Sequence, residues 1–201
     1  HVYTEFINDN IYLHTGDFPT EKIEKGHFYY CCDQPENLDS VFPDFIFDHW
    51  KQAGIPDFKK TVLEISEAAE KQFIHSKMLW IGNVETNPIR KKILEFSVKY
   101  PHIIEAYNTA VDQFIIEKKD IPYISLADHT QYKYLIDVEG RGYSGRIKML
   151  LFTKRVLFIQ ERRWKSYYHF ELVPFKHFIP VKNDLSDLLE KINFVENQGE
   201  N

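Results

Sequence analysis

From residue 77 onward the chain alternates short apolar runs with stretches of helical periodicity, and this order most constrains its fold. Lys77–Gly82 (KMLWIG) reads as a strand ending in glycine. Asn87-Pro88 then reads as a cap with proline at the first helical position, and Ile89, Ile93, Leu94 and Phe96 give the following helix an apolar face. His102–Tyr107 and Tyr132–Val138 read as strands, Tyr143–Phe152 as a helix, Arg155–Gln160 and His177–Lys182 as strands. Asp184 is placed to cap a last helix through Leu185, Leu188, Leu189 and Ile192. Strand and helix in alternation at this spacing predict an α/β fold with a parallel sheet covered on both faces. Residues 1–56 are different: aromatic, with short strand-like runs at Ile11–His14 and His27–Cys31 separated by turn sequences such as GDFP and DQPEN. Residues 57–76 read as one helix with Phe58, Val62, Ile65, Ala69 and Phe73 on a single face. The expected organisation is residues 1–76 as a short N-terminal lobe, 77–195 as a C-terminal lobe, and 196–201 as a polar tail.

Composition excludes several classes. Apolar residues make up 43% of 201, with 16 Phe, 12 Tyr and 3 Trp, enough for a packed core and too many for a disordered chain. The net charge of −5 and the absence of a basic stripe argue against a general nucleic-acid binder. Cys31 and Cys32 are adjacent, a geometry that disfavours their pairing, so no disulfide framework is expected. No apolar run approaches the ~20 residues of a membrane span, and no leader is evident. The expected location is therefore cytoplasmic, or a secretory lumen if a leader preceding His1 has been removed.

Chemistry concentrates in Glu139–Lys148 (EGRGYSGRIK), which follows a strand and opens a helix. Gly140, Gly142 and Gly145 allow close backbone approach, Arg146 can grip a phosphate with two N–H groups, and Lys148 adds a point charge. A plain glycine turn with solvated Arg and Lys fits the same residues. Arg90, in the first turn of its helix, is poorly placed for the helix dipole and well placed to face an anion; an ordinary surface arginine is the alternative. Asp17, after a strand, fits either a general base or an Asx turn before proline. Asp128-His129 fits an acid–base pair, a ribose contact, or a helix cap with a core histidine. Tyr167, Tyr168, Phe170 and Phe175 read as core. No metal-ligand spacing occurs among nine His, and no GxSxG elbow is present.

These blocks resemble glycosyltransferase family 90, the capsule-associated and lipopolysaccharide-modifying type that also holds the animal protein O-glucosyltransferases. Asp128-His129 with Lys133-Tyr134-Leu135, then Ser144-Gly-Arg146-Ile-Lys148, Pro174–Val181 and Asp184–Leu188 are similar to its DH..YKYL, SGRFK, LKPWVHYVPV and DLSDL blocks. Trp80–Gly82 to Arg90 resembles its FRG…SPR segment, Val41–Phe47 its YPxWxF segment, and Asp17 falls at its RDxP motif. The resemblance implies a GT-B-like fold of two Rossmann-like lobes. It implies an inverting transfer of glucose or xylose from a UDP-sugar to a glycan, lipopolysaccharide or protein hydroxyl, with no metal and no further cofactor. Asp17 would be the base. Arg90 and Arg146 would hold the diphosphate, with Ser144 assisting, and Gly82, Asp128, His129, Tyr143, Gly145 and Lys148 would complete the donor site. The competing reading is an inactive nucleotide-sugar or glycan-binding module.

Overall fold

The computed structural model describes residues 11–110 and 123–198. Residues 199–201 of the expected tail lie outside that range, while 196–198 belong to the last helix. The centre is a five-stranded parallel sheet of β3 (His75–Gly82), β4 (Ile104–Asn108), β5 (Tyr132–Asp137), β6 (Val156–Gln160) and β7 (Ile179–Val181), in the spatial order β4-β3-β5-β6-β7. The sheet begins at β3, next to one edge, moves outward to β4, then crosses back to β5 on the other side of β3. The order in which strands are laid across the sheet therefore reverses between β3 and β5, while all stay parallel. In sheets of this kind ligands bind in the crevice beyond the carboxyl ends of the strands at that reversal.

Alternation along each strand builds two cores. Met78 and Trp80, Tyr134 and Ile136, and Phe158 pack on one face beneath Ile93 of α2 (Ile89–Lys99) and Leu188 and Ile192 of α4 (Leu188–Gln198). Leu79, Leu135, Leu157 and Ile159 pack on the other against Ile147 and Leu150 of α3 (Ile147–Leu150). Burial on both sides explains why these strands read as continuous apolar runs.

Two helices are shorter than their periodicity suggests. The helix expected over 57–76 is α1 (Phe58–Ala68), started by Asp57, whose carboxylate accepts from the Lys60 amide at 2.7 Å. Its end is set by Arg155, which donates to the carbonyls of Ala69, Lys71 and Thr130 and so captures the chain as it turns into β3. The helix expected over 143–152 is the single turn α3. Residues 143–146 instead fold back over the end of β5, because Ser144 and Arg146 bond Asp137.

The described part of the N-terminal segment forms no second Rossmann-like sheet. Two-residue strands β1 (Tyr12–Leu13) and β2 (His27–Phe28) pair in parallel, and 3-10 turns follow at Pro35–Ser40, Phe45–Phe47 and Lys51–Ala53. The segment lies along the chain after β6: Cys32 bridges Lys165, and the rings of Phe18 and Trp164 stack at 5.5 Å. Ile46, Ile55 and Ile65 close on Met149 of α3. Cys31 and Cys32 are both buried and both free. No helix among the described residues is long and apolar enough to cross a membrane.

Candidate functional site

A cavity of about 680 Å³ opens at the carboxyl ends of β3 and β5, where the strand order reverses. That volume lies within the range of small-molecule sites. Its polar wall is Gly82, Arg90, His129, Ser144 and Arg146; its apolar wall includes Trp50, Ile55, Ile124 and Met149. Sequence residues far apart in the chain, Gly82, Arg90, His129, Tyr143, Ser144, Gly145 and Arg146, are thus brought to one cleft. Asp17, Asp128 and Lys148 are not part of its lining.

Each cation is held in a defined way. Arg146 donates through Nε and Nη2 to Asp137 Oδ1 at 3.3 and 3.1 Å, and through Nη1 to the carbonyl of Ile81. Arg90 donates to three backbone carbonyls, Glu139 and Val138 beyond β5 and Asn83 beyond β3, at 2.8, 2.9 and 2.9 Å. Its place at the helix start is thus balanced by the carbonyl-rich ends of two parallel strands. Burial, then repulsion from Arg146, pulls the Arg90 guanidinium down to about 10. An anion in the cleft would relieve that repulsion.

Lys148 does something else. Its ammonium is buried against both carboxylate oxygens of Asp44 and lies 4.3 Å from the centroid of the Phe47 ring. It ties the N-terminal segment to α3 rather than facing the cleft. Asp128 accepts from the amide and hydroxyl of Ser125 and from Gln131, which makes it the organiser of the turn before β5. His129 keeps its ring at the cavity. Nδ1 lies 2.7 Å from the Ser125 carbonyl, which only accepts, so Nδ1 carries the proton and Nε2 is left as an acceptor. Burial lowers this imidazole to about 4, so it is neutral at ordinary pH. Burial, followed by the charge of Asp44, raises the Tyr143 phenol well above its usual range.

Asp17 is exposed, and its backbone abuts the glycine loop: a Cβ on Gly142 would lie 2.0 Å from the Asp17 carbonyl oxygen. Gly145 is also close to a neighbour, but a more yielding one: the side-chain tip Ile46 Cδ1 lies 2.2 Å from its would-be Cβ. The close neighbours of these two glycines are the Asp17 backbone and the Ile46 side chain.

The sequence reading passed over Asp137, Arg162 and Trp50. Asp137 is fully buried at the end of β5. A carboxylate closing the run Tyr134-Leu135-Ile136 was the available signal. Arg162 reaches it from the opposite side, with Nη1 2.8 Å from Oδ2 and Nη2 donating to the Asp137 carbonyl at 3.0 Å. Burial disfavours this charge, but Arg162, Arg146 and Arg90 overcome that and hold the carboxyl at about 2. Among the described residues no cluster of three or more His, Cys, Asp or Glu is arranged to hold a metal ion.

The fold is thus a parallel α/β sheet with a cleft at its reversal point and Arg90 and Arg146 in the wall of that cleft. The family model of glycosyl transferase family 90 matches residues 7–201, and the chain belongs to that family. It is 22% identical over 199 residues to protein O-glucosyltransferase 3 of Rattus norvegicus, covering 94% of this chain and 39% of the relative. It is 26% identical over 210 residues to protein O-glucosyltransferase 2 of Danio rerio, covering 94% and 40%. With protein O-glucosyltransferase 1 of Rattus norvegicus it shares 32% over 116 residues, covering 55% and 30%. The chain therefore spans well under half the length of these relatives.

Proposed function

We propose that this chain carries the donor site of an inverting glycosyltransferase that moves glucose from UDP-glucose to a protein hydroxyl. The observation that carries the reading is Arg146, fixed by Asp137 and the Ile81 carbonyl at the mouth of the cleft between β3 and β5. Family membership supplies the reaction class, and the relatives named protein O-glucosyltransferases favour glucose and a protein acceptor over xylose, capsule or lipopolysaccharide.

In the proposed reaction the diphosphate lies against Arg146, with the charge of Arg90 behind it. Ser144, from the same loop, donates to the Asp137 carboxylate that also holds the guanidinium. The apolar side of the cleft, with Trp50 and Met149, takes the less polar parts of the donor. A base removes the acceptor proton as the hydroxyl oxygen bonds to the anomeric carbon. The bond from that carbon to the diphosphate oxygen breaks, and its electron pair leaves with UDP. Positive charge at the leaving diphosphate lowers the barrier most where charge develops, and in this reading arginine supplies it without a metal. We assign the base to Asp17, whose backbone is packed on the glycine loop that carries Ser144 and Arg146.

The test is hydrolysis or transfer from UDP-glucose and UDP-xylose with EDTA present. Asp17→Asn should leave UDP affinity unchanged and lower turnover by at least ~100-fold, the usual scale of a general base. Unchanged turnover would remove Asp17 from the mechanism, and loss of all activity in EDTA would remove the metal-free one.

A further inference from the structure

The carboxylate of Asp137 never reaches the cleft, yet the groups that do are built around it. Ser144 Oγ donates to its Oδ1 at 2.9 Å, and Arg146 uses both Nε and Nη2 on the same oxygen. Arg162 occupies the other side at 2.8 Å from Oδ2, an ionic contact with no aligned hydrogen bond. One carboxylate among three guanidiniums does not neutralise them, so charge balance alone does not account for the arrangement. What it does achieve is direction. Each nitrogen of Arg146 has a partner within the protein, three of its five N–H groups being used there, while the residue lines the cleft with its side chain 21% exposed.

We propose that Asp137 is a positioning residue for nucleotide binding: its Oδ1 orders Arg146 and Ser144 before the diphosphate arrives, while Arg162 holds Oδ2. The inference rests on the cleft being a nucleotide site. A free arginine carries ~2 kcal/mol of rotamer entropy that binding would otherwise cost, and a guanidinium already fixed loses less of it. Arg162 itself stays out of the cleft, with 1% of its side chain exposed.

Two measurements on the 201-residue chain decide it. In protein labelled with ¹⁵N-arginine, the Arg146 Nε–H resonance is identified by its loss in Arg146→Lys. It should be slow to exchange with water in the wild type, without nucleotide; rapid exchange would overturn the proposal and needs no variant at Asp137. UDP is then titrated into wild type, Asp137→Asn, Arg146→Ala and the double variant. Asp137→Asn should weaken UDP about tenfold when Arg146 is present, and no more than about twofold when it is alanine, since its effect runs through that side chain. An equal loss in both backgrounds would make Asp137 a structural residue only. If the wild type itself binds no UDP, the nucleotide reading fails, while the exchange measurement still decides whether Asp137 orders Arg146.

Discussion

Lys148 and Asp44 form a buried ion pair across the two halves of the chain, side chains 4% and 1% exposed. A lysine that the glycine-loop sequence offers to a phosphate is thereby spent on joining α3 to the 3-10 turn at Phe45–Phe47, which Asp44 also caps through the Ile46 amide at 2.9 Å. Desolvation and pairing together make this a high-stakes contact.

Removing one partner should therefore cost far more than removing both. Lys148→Met leaves a buried carboxylate unpaired and is expected to lower stability by about 3–5 kcal/mol. Lys148→Met with Asp44→Asn should recover most of that, because the asparagine oxygen still caps the turn. Urea unfolding of the three proteins measures it; a single variant within about 0.5 kcal/mol of wild type would show the pair to be energetically idle.

Gly142 sits against the Asp17 backbone with no room for a methyl group, since the would-be Cβ is 2.0 Å from the carbonyl oxygen and 2.7 Å from its carbon. Backbone yields less readily than a side-chain tip, so Gly142→Ala should destabilise by about 1–3 kcal/mol and move Asp17 off the loop. Gly16→Ala is the control: its nearest neighbour, the Phe18 carbonyl oxygen, is 3.8 Å away. Thermal unfolding should separate the two variants, and equal midpoints would contradict the packing.

Stability should fall in acid. Burial lowers His129 to about 4 and His169 to about 3, against about 6.5 in an unfolded chain. Between about pH 6.5 and those values the unfolded chain binds more protons than the fold. The contribution is thus complete above pH 6.5 and is lost as pH drops. Asp137, held at about 2 against an ordinary 3.8, extends the loss in the same direction below pH 4. Urea midpoints from pH 7.5 to 4 measure the slope, and His129→Asn should flatten it; a midpoint that rises on acidification would contradict the assignment of neutral buried imidazoles.

The parallel sheet was legible because both of its faces are covered, which turns Leu79–Trp80, Leu135–Ile136 and Leu157–Ile159 into unbroken apolar runs. The glycines read from the sequence as room for a ligand meet other segments instead, Gly142 the Asp17 backbone and Gly145 the Ile46 side chain. The strand order was not legible, because nothing local in β5 says that it returns to the far side of β3. Asp137 escaped notice since a strand carboxylate has meaning only when Arg146 and Arg162 arrive from elsewhere. Lys148 was misleading for the converse reason, as its partner lies more than a hundred residues earlier. The N-terminal segment carries little periodicity to read. Beyond the two-residue pairing of β1 with β2, its described part is held by side-chain contacts such as the stacked rings of Phe18 and Trp164 and by the bridge between Cys32 and Lys165.

In the proposed function the cleft between β3 and β5 binds a nucleoside diphosphate through Arg146. Calorimetric titration of UDP into the wild-type chain and Arg146→Ala, with EDTA present, tests it directly. The account predicts micromolar binding to the wild type and a loss of at least about tenfold in the variant, the scale of one charge-assisted contact. Equal affinity in the two proteins would contradict it.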